Sequence, residues 1–202
     1  MHAKKQVMKK NIVIILLFAS SSAIAQHFEL GAKAGANISN FTGHDNWQNA
    51  KTNSLVGYHL GGFVSFFIGN NFAVQPELLY SSQGAKFESA GQTTKLKVNY
   101  INIPVMLKLR TGKGFFVEAG PQVGFKTSES SDNGSIDSLA KSSDLSIAAG
   151  FGFHSKIGLG IGARYTAGLS KVGDFEPQNG ITPDYKNGVF QISIFYTLFR
   201  NK

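Results

Sequence analysis

The chain has 202 residues, carries a formal net charge of +8 at pH 7 and contains no cysteine. The absence of cysteine excludes a disulfide framework and thiol chemistry. Charged residues make up 16% of the chain, well below the ~25% that is usual for soluble domains. We therefore expect a protein that presents little of its surface to water.

The first 25 residues have the three parts of a secretory signal peptide. Four lysines lie between positions 4 and 10, an apolar stretch covers 12–19, and small residues follow up to Ala25. This order predicts a leader over 1–25 that is cleaved after Ala25. The alternative, a membrane anchor, is disfavoured because the apolar stretch is shorter than the ~20 residues of a spanning helix. Residues 26–202 are predicted to form one domain.

Much of the excess positive charge lies in the predicted leader. Without its four lysines, the 20 basic residues become 16, against 12 acidic ones. The long polar segments mix both signs and form no basic stripe of the kind that nucleic acid binding needs. We expect no nucleic acid partner.

Beyond residue 26, apolar and polar residues alternate with a period of two, and no segment shows helical spacing. This alternation predicts β-strands rather than helices. Eight segments carry it: 28–38, 56–68, 72–83, 100–109, 117–126, 145–154, 159–169 and 190–198. The sequence thus predicts an all-β domain of eight strands.

Short and long connections alternate between these segments along the chain. Three short glycine-containing turns lie at 69–71, 111–114 and 155–158, and four long polar loops at 39–54, 83–96, 127–143 and 171–187. Short connections at one end and long ones at the other are typical of a small transmembrane β-barrel. An even number of strands puts both termini at the short-turn end, which we expect to face the periplasm.

The two faces of the predicted strands differ in composition. One face is almost uninterrupted apolar residue, and the other carries glycine, serine, glutamine and a few charges. A soluble barrel of the lipocalin type would turn the apolar face inward. The polar face is too poor in charge for a solvated surface, but it suits the narrow interior of an eight-stranded barrel. We therefore predict that the apolar face contacts lipid.

Lipid contact also predicts closure of the sheet. Backbone groups cannot stay unpaired in lipid, so the eighth strand is expected to pair with the first. The predicted fold is a closed, eight-stranded, antiparallel, up-and-down transmembrane β-barrel in the outer membrane of a Gram-negative cell.

Four charged residues point into the predicted lumen from four different strands: Glu77, Lys108, Glu118 and Arg164. Two functional interpretations, a charged permeation path and a catalytic cluster, compete with a structural one. Charges in a packed interior must be paired, because an unpaired charge costs several kcal/mol. We interpret the four residues as a structural lumen charge network. Lys33 and Lys126 are expected nearer the rims.

No set of residues predicts a catalytic, cofactor or metal site. His59 and His154 fall on the lumen face and His44 lies in the first long loop, whereas a metal site needs three or four converging ligands. No serine sits in a nucleophile elbow. An outer-membrane hydrolase or acyltransferase stays open as an alternative, since its site would assemble only in three dimensions. The favoured prediction is a protein without enzymatic activity and without cofactors.

Four segments are distinctive in order and spacing: 74–81 (VQPELLYS), 100–108 (YINIPVMLK), 116–121 (FVEAGP) and 163–168 (ARYTAG). Together they make the chain similar to the porin-like outer-membrane β-barrel family of Bacteroidota, often labelled PorT-like. The resemblance implies a monomeric eight-stranded barrel, usually of unassigned biochemical role. One branch of the family takes part in protein secretion and gliding.

The chain departs from this family at two places. The family commonly has glutamate where Asn102 stands, so the lumen network is expected to have one acid fewer. Such barrels also usually end on an aromatic residue that the assembly machinery reads, whereas Phe199 is followed here by three further residues.

These observations favour a structural or interaction role over transport. We expect a packed lumen and long extracellular loops that contact lipopolysaccharide or a surface partner. The alternative is a narrow porin-like pore or an accessory role in protein secretion. Expected partners are outer-membrane lipid, lipopolysaccharide and, during biogenesis, the barrel assembly machinery.

Overall fold

The computed structural model describes residues 27–42, 51–89, 92–131, 142–170 and 186–201. The predicted leader, its cleavage site after Ala25 and the domain boundary at residue 26 lie outside these ranges. Within them, no α-helix is long and apolar enough to cross a membrane.

The described residues form eight strands. They are β1 (Phe28–Thr42), β2 (Lys51–Ile68), β3 (Phe72–Ser89), β4 (Gln92–Arg110), β5 (Phe115–Ser131), β6 (Ser143–His154), β7 (Leu159–Gly168) and β8 (Lys186–Asn201). Each strand pairs antiparallel with its neighbours in sequence, and β8 pairs with β1 to close the barrel. The predicted closed, up-and-down topology is confirmed.

The period-two alternation sorts side chains between the outside and the lumen. Large apolar residues are exposed on the outer face, as Leu60 at 59%, Phe151 at 66% and Ile194 at 61% illustrate. Exposure of these apolar side chains to water would be unfavourable because of the hydrophobic effect, whereas their contact with lipid is favourable. The predicted lipid-facing phase is therefore the outer face of the barrel.

Aromatic residues mark both borders of this apolar band. One border carries Phe66, Phe115, Phe153 and Phe199, and the other carries Tyr58, Tyr80, Phe125, Tyr165 and Phe190. Along β3, the stretch from Phe72 to Tyr80 covers roughly 20 Å of membrane depth, at about 3.3 Å per residue and a tilt of about 40°. This depth agrees with the apolar band of outer-membrane barrels, which is ~25 Å tall.

The three short turns and both ends of the described chain lie at one end of the barrel, which we call the turn end; the opposite end is the loop end. Gly69 and Gly114 have φ values of 70° and 97°, which a residue with a Cβ rarely adopts. The amide of Gly114 donates to the carbonyl of Thr111 at 2.9 Å, and the amide of His154 donates to the carbonyl of Gly114 at 2.8 Å. The predicted turns are confirmed.

The long loop predicted over 83–96 is wrong. β3 continues to Ser89 and β4 begins at Gln92, and the two strands stay paired up to Ser89 and Gln92 themselves. The apolar alternation ends where the strands leave the lipid, but the backbone ladder needs only a partner strand to continue. The predicted loops at 39–54 and 127–143 are also shorter than expected, since β2 begins at Lys51 and β5 ends at Ser131.

The strands differ in length around the barrel. β2, β3, β4 and β5 have 18, 18, 19 and 17 residues, whereas β6 and β7 have 12 and 10. We call the parts of β2, β3, β4 and β5 that extend past His59, Ser81, Tyr100 and Lys126 towards the loop end the tall wall. Among the described residues, the loop end therefore has a high side and a low side.

Candidate functional site: the packed lumen

Arg164 is the centre of the lumen charge network. Its Nη1 donates to Glu77 Oε2 at 2.8 Å and its Nη2 to Glu77 Oε1 at 2.8 Å. The same guanidinium donates from Nε and Nη2 to Glu118 Oε1, at 2.9 and 2.6 Å. One cation thus joins β3, β5 and β7 across the barrel through charge-assisted hydrogen bonds. The predicted lumen position of these three residues agrees with the structure.

Lys33 belongs to this network, so its predicted place near a rim is wrong. Its Nζ donates to Glu77 Oε1 at 2.8 Å, and its side chain is buried. β1 pairs Lys33 with Gly61, and β2 pairs Phe63 with Glu77. The stagger of the tilted strands therefore brings Lys33 to the level of Glu77, although the two are far apart in sequence. Lys126 is nearer the loop end and pairs with Glu129 at 2.9 Å.

Lys108 completes the network with a different kind of partner. Its Nζ donates to Gln75 Oε1 at 2.8 Å and lies 3.6 Å from Glu118 Oε2. The same ammonium lies 4.1 Å from the ring centroid of Phe116, 5.3 Å from that of Phe195 and 6.0 Å from that of Phe63. The network of Lys33, Glu77, Lys108, Glu118 and Arg164 has three cations and two acids. Aromatic faces therefore cover the cation that lacks a carboxylate of its own.

These three phenylalanines form an aromatic layer across the lumen. Phe195 packs edge-on against Phe63 and Phe116, with ring centroids 5.9 Å apart in both pairs. The rings fit because glycines stand opposite them: a Cβ at Gly31 would lie 2.3 Å from Phe63 Cζ, and one at Gly160 would lie 2.2 Å from Phe195 Cζ. Large and small residues alternate across the layer and fill it, as the interior of a small barrel requires.

An amide layer of neutral polar residues occupies the loop-end half of the lumen. His59 Nδ1 lies 2.7 Å from Asn37 Oδ1, and His59 Nε2 lies 2.9 Å from Ser193 Oγ. Asn37 Nδ2 donates to Ser81 Oγ, and Gln191 Nε2 donates to Asn37 Oδ1, at 3.0 and 3.1 Å. Hydrogen bonds thus link β1, β2, β3 and β8 without a formal charge.

A turn-end cluster closes the opposite half. Arg110 donates to Glu29 through two bonds of 3.0 and 3.1 Å, and Arg200 Nε lies 2.7 Å from Glu29 Oε1. Arg110 Nη1 also lies 2.7 Å from His154 Nδ1, and His154 Nε2 lies 3.0 Å from Thr197 Oγ1. Since a guanidinium can only donate, His154 accepts at Nδ1 and carries its proton at Nε2.

The two lumen histidines lie in separate layers, one in the amide layer and one in the turn-end cluster. Among the described residues, no group of three His, Cys, Asp or Glu side chains is placed to hold a metal ion. His44 lies outside the described residues.

Buried side chains lie across the lumen at four successive levels among the described residues. The central residues Glu77, Lys108, Glu118 and Arg164 are each nearly inaccessible. Arg164 is hydrogen-bonded to both acids, whereas Lys108 lies 3.6 Å from Glu118 Oε2. Alternation alone identified these four; the aromatic layer and the turn-end cluster were not predicted as units. Alternation places the residues of both groups on the lumen face. It does not show which of them lie at the same height along the barrel axis, because that depends on the stagger between strands.

A closed barrel of eight strands, with an apolar outer face, two aromatic borders and a filled polar interior, defines the class of small outer-membrane β-barrel proteins. The chain belongs to the family described as the outer membrane protein beta-barrel domain, whose family model matches residues 18–174. The protein is therefore an outer-membrane barrel of a Gram-negative cell. No curated protein matches the chain.

Solved structures of small barrels match the same architecture. Neisserial surface protein A (NspA) matches with a TM-score of 0.56 and 14% sequence identity, over 84% of this chain and 97% of that chain. OprG from Pseudomonas aeruginosa matches with a TM-score of 0.48 and 12% identity, over 84% and 94%. Ail of Yersinia pestis, in complex with the heparin analogue sucrose octasulfate, matches with a TM-score of 0.47 and 17% identity, over 84% and 97%. At such identities, the likeness to NspA shows the fold alone.

Proposed function

We propose that the protein is a non-conducting, monomeric outer-membrane barrel that acts through its extracellular loop end as an interaction scaffold. The observation that carries this proposal is the filled lumen, in which an ion network and an aromatic layer span the barrel at adjoining levels. Ions would have to break several buried charge-assisted bonds to pass. No enzymatic step is part of the proposal. The closer assignment to the PorT-like branch, with its accessory role in secretion, stays a prediction from the resemblance.

The proposal orients the barrel with its turn end in the periplasm and the tall wall outside the cell. Short turns on the periplasmic side and longer connections outside are the rule for bacterial barrels. In this orientation, the extended β3–β4 hairpin carries a paired backbone ladder well beyond the aromatic border. A ladder of this kind gives a rigid surface for a protein partner, in contrast to a flexible loop.

Three lysines on the outer face of this hairpin support contact with lipopolysaccharide. Lys86 and Lys95 are directly opposite each other in the register, and Lys97 follows on the same face. Like charges directly opposite each other are destabilising unless an anion lies between them. Lys97 Nζ lies 6.0 Å from the ring centroid of Tyr58, which belongs to the aromatic border. The lysines are thus at the level where phosphates of the outer leaflet are expected.

The conduction part of the proposal is tested in planar lipid bilayers. We expect the purified, folded protein to give no stable current steps, because the lumen is filled at every level. The double variant Phe63→Ala and Phe195→Ala removes two of the three rings of the aromatic layer and leaves the ion network. Silence of the double variant would place the seal in the ion network, and current in that variant alone would place it in the aromatic layer. Steady current steps from the natural chain would contradict the proposal.

The interaction part is tested by shortening the hairpin. Ala85 and Leu96 are paired, so replacing residues 86–95 by Asn-Gly would join them through a two-residue turn. We expect the shortened protein to fold and to lose its partner in crosslinking and co-purification from native outer membrane. The control Lys86→Gln with Lys95→Gln keeps the hairpin and should lose lipopolysaccharide contact only. Recovery of the same partners by the shortened and natural chains would refute a scaffold role for the tall wall.

A further inference from the structure

A second cationic feature lies at the opposite end of the barrel. A cavity of about 170 Å³ opens at the turn end, between the β4–β5 turn, the β6–β7 turn and Asn70 of the β2–β3 turn. Its lining includes Arg110, Lys113, Lys156 and Arg200. The cavity thus borders the turn-end cluster and opens towards the solvent at that mouth.

The charge around this cavity is not balanced within the described part of the chain. Glu29 is the acid beneath it, and that carboxylate already binds both Arg110 and Arg200. Lys113 and Lys156 have no acidic partner among the described residues, and both are exposed. Four cations against one carboxylate leave an excess of three positive charges. This excess favours a multiply charged anion.

The cavity is held in shape before any ligand arrives. Arg110 packs over the ring of Phe67, with its Cζ 4.6 Å from the centroid, and donates to Glu29 and His154. Its backbone N–H donates to the carbonyl of Asn71 at 2.7 Å. A Cβ at Gly114 would lie 2.4 Å from the carbonyl oxygen of His154, so the β4–β5 turn packs directly on the end of β6. A preorganised cation cluster binds an anion with little further ordering.

Size and chemistry narrow the ligand class. The volume is below the ~300 Å³ at which pockets for drug-sized molecules begin, so a small ion or one terminal group of a larger molecule fits. Arginine and lysine together are the residues that bind phosphate oxygens. We propose that this turn-end cavity is a binding site for phosphate or a phosphate monoester. In the orientation proposed above the ligand comes from the periplasm, but the binding itself does not depend on that orientation.

The test is a calorimetric titration of the full chain, folded in a phosphate-free maltoside detergent, with inorganic phosphate. We expect saturable binding that weakens with added salt. The variant Lys113→Gln with Lys156→Gln should weaken binding about tenfold, since each exposed lysine contributes a modest share. Lys113→Arg with Lys156→Arg should retain binding. The matched control, Lys126→Gln with Lys186→Gln, makes the same charge change at the loop end and should leave binding unchanged.

Further titrations identify the source of the phosphate. Glycerol 3-phosphate binding as tightly as phosphate would indicate a monoester on a larger molecule, and binding of phosphate alone would indicate the free ion. Succinate binding as tightly as phosphate would overturn the assignment to phosphate chemistry. Absence of saturable binding by the natural chain, or equal weakening by the loop-end control, would overturn the site itself. None of these results bears on conductance, so this inference and the proposed function fail independently.

Discussion

The two halves of the lumen are filled in different ways. Towards the turn end, formal charges and rings close the barrel: the turn-end cluster, the aromatic layer and the lumen charge network follow one another. Towards the loop end, His59, Asn37 and Ser193 represent a layer joined by neutral hydrogen bonds. Buried ion pairs depend strongly on both partners, whereas single neutral bonds contribute about 1 kcal/mol each. We therefore expect the turn-end half of the lumen to contribute more to the stability of the barrel than the loop-end half.

Removal of the central cation should have the largest effect. We expect Arg164→Met to lower the free energy of unfolding by about 3–5 kcal/mol, because it leaves two buried carboxylates without their shared partner. Urea titration of the protein in lipid vesicles, followed by circular dichroism, measures this change. Thr166→Val, two residues along the same strand, is the control and should cost far less. Similar losses for the two variants would mean that the ion network does not dominate the turn-end half.

Crowding of the aromatic layer should have the next largest effect. Gly160→Ala places a Cβ against the ring of Phe195, and overpacking of this kind costs about 1–3 kcal/mol. We expect Phe195→Leu to relieve most of that loss in the double variant. A double-mutant cycle in the same unfolding assay measures the coupling. Additive losses would show that ring and glycine do not share the same space.

The neutral half should respond less. His59→Leu removes the hydrogen bonds to Asn37 and Ser193 and should cost about 1–2 kcal/mol. Replacement by Gln, which can still donate and accept, should recover part of this loss. A loss as large as that of Arg164→Met would remove the contrast between the two halves.

The smallest effect is expected at Lys108. The network has three cations and two acids, so Lys108→Met removes the surplus charge while its side chain still packs against the phenylalanine rings. We expect a change of less than about 1 kcal/mol in either direction, since replacing a buried ion by a packed apolar residue is often neutral. Lys33→Met, which removes a direct partner of Glu77, is the matched comparison and should cost more.

Alternation of apolar and polar residues was sufficient to predict eight strands and the lumen positions of Glu77, Glu118 and Arg164. The closure followed from the need to pair every backbone group in lipid. Alternation works because the faces of a β-strand alternate strictly and the two environments differ sharply. It gives no information on height along the axis, which depends on strand tilt and stagger. Lys33 was misplaced for this reason.

The sequence pattern also failed to predict the ends of β3 and β4, where the strands continue without large apolar residues on their outer face. Residues 83–89 and 92–96 have no large apolar residue in the phase that faces outwards nearer the turn end. The hydrogen bonds between β3 and β4 continue there all the same. Apolar periodicity therefore measures the extent of the membrane and not the extent of the sheet.

In the described part of the chain, the unequal strand lengths give the barrel a direction in the plane of the membrane. A barrel whose strands all end at the same height presents the same surface to a partner from every side, whereas strands of unequal length present one side that is higher than the other. A molecule that docks against the higher side is oriented about the membrane normal as well as along it. The described parts of β2, β3, β4 and β5 would therefore fix the rotational setting of any such molecule about the membrane normal.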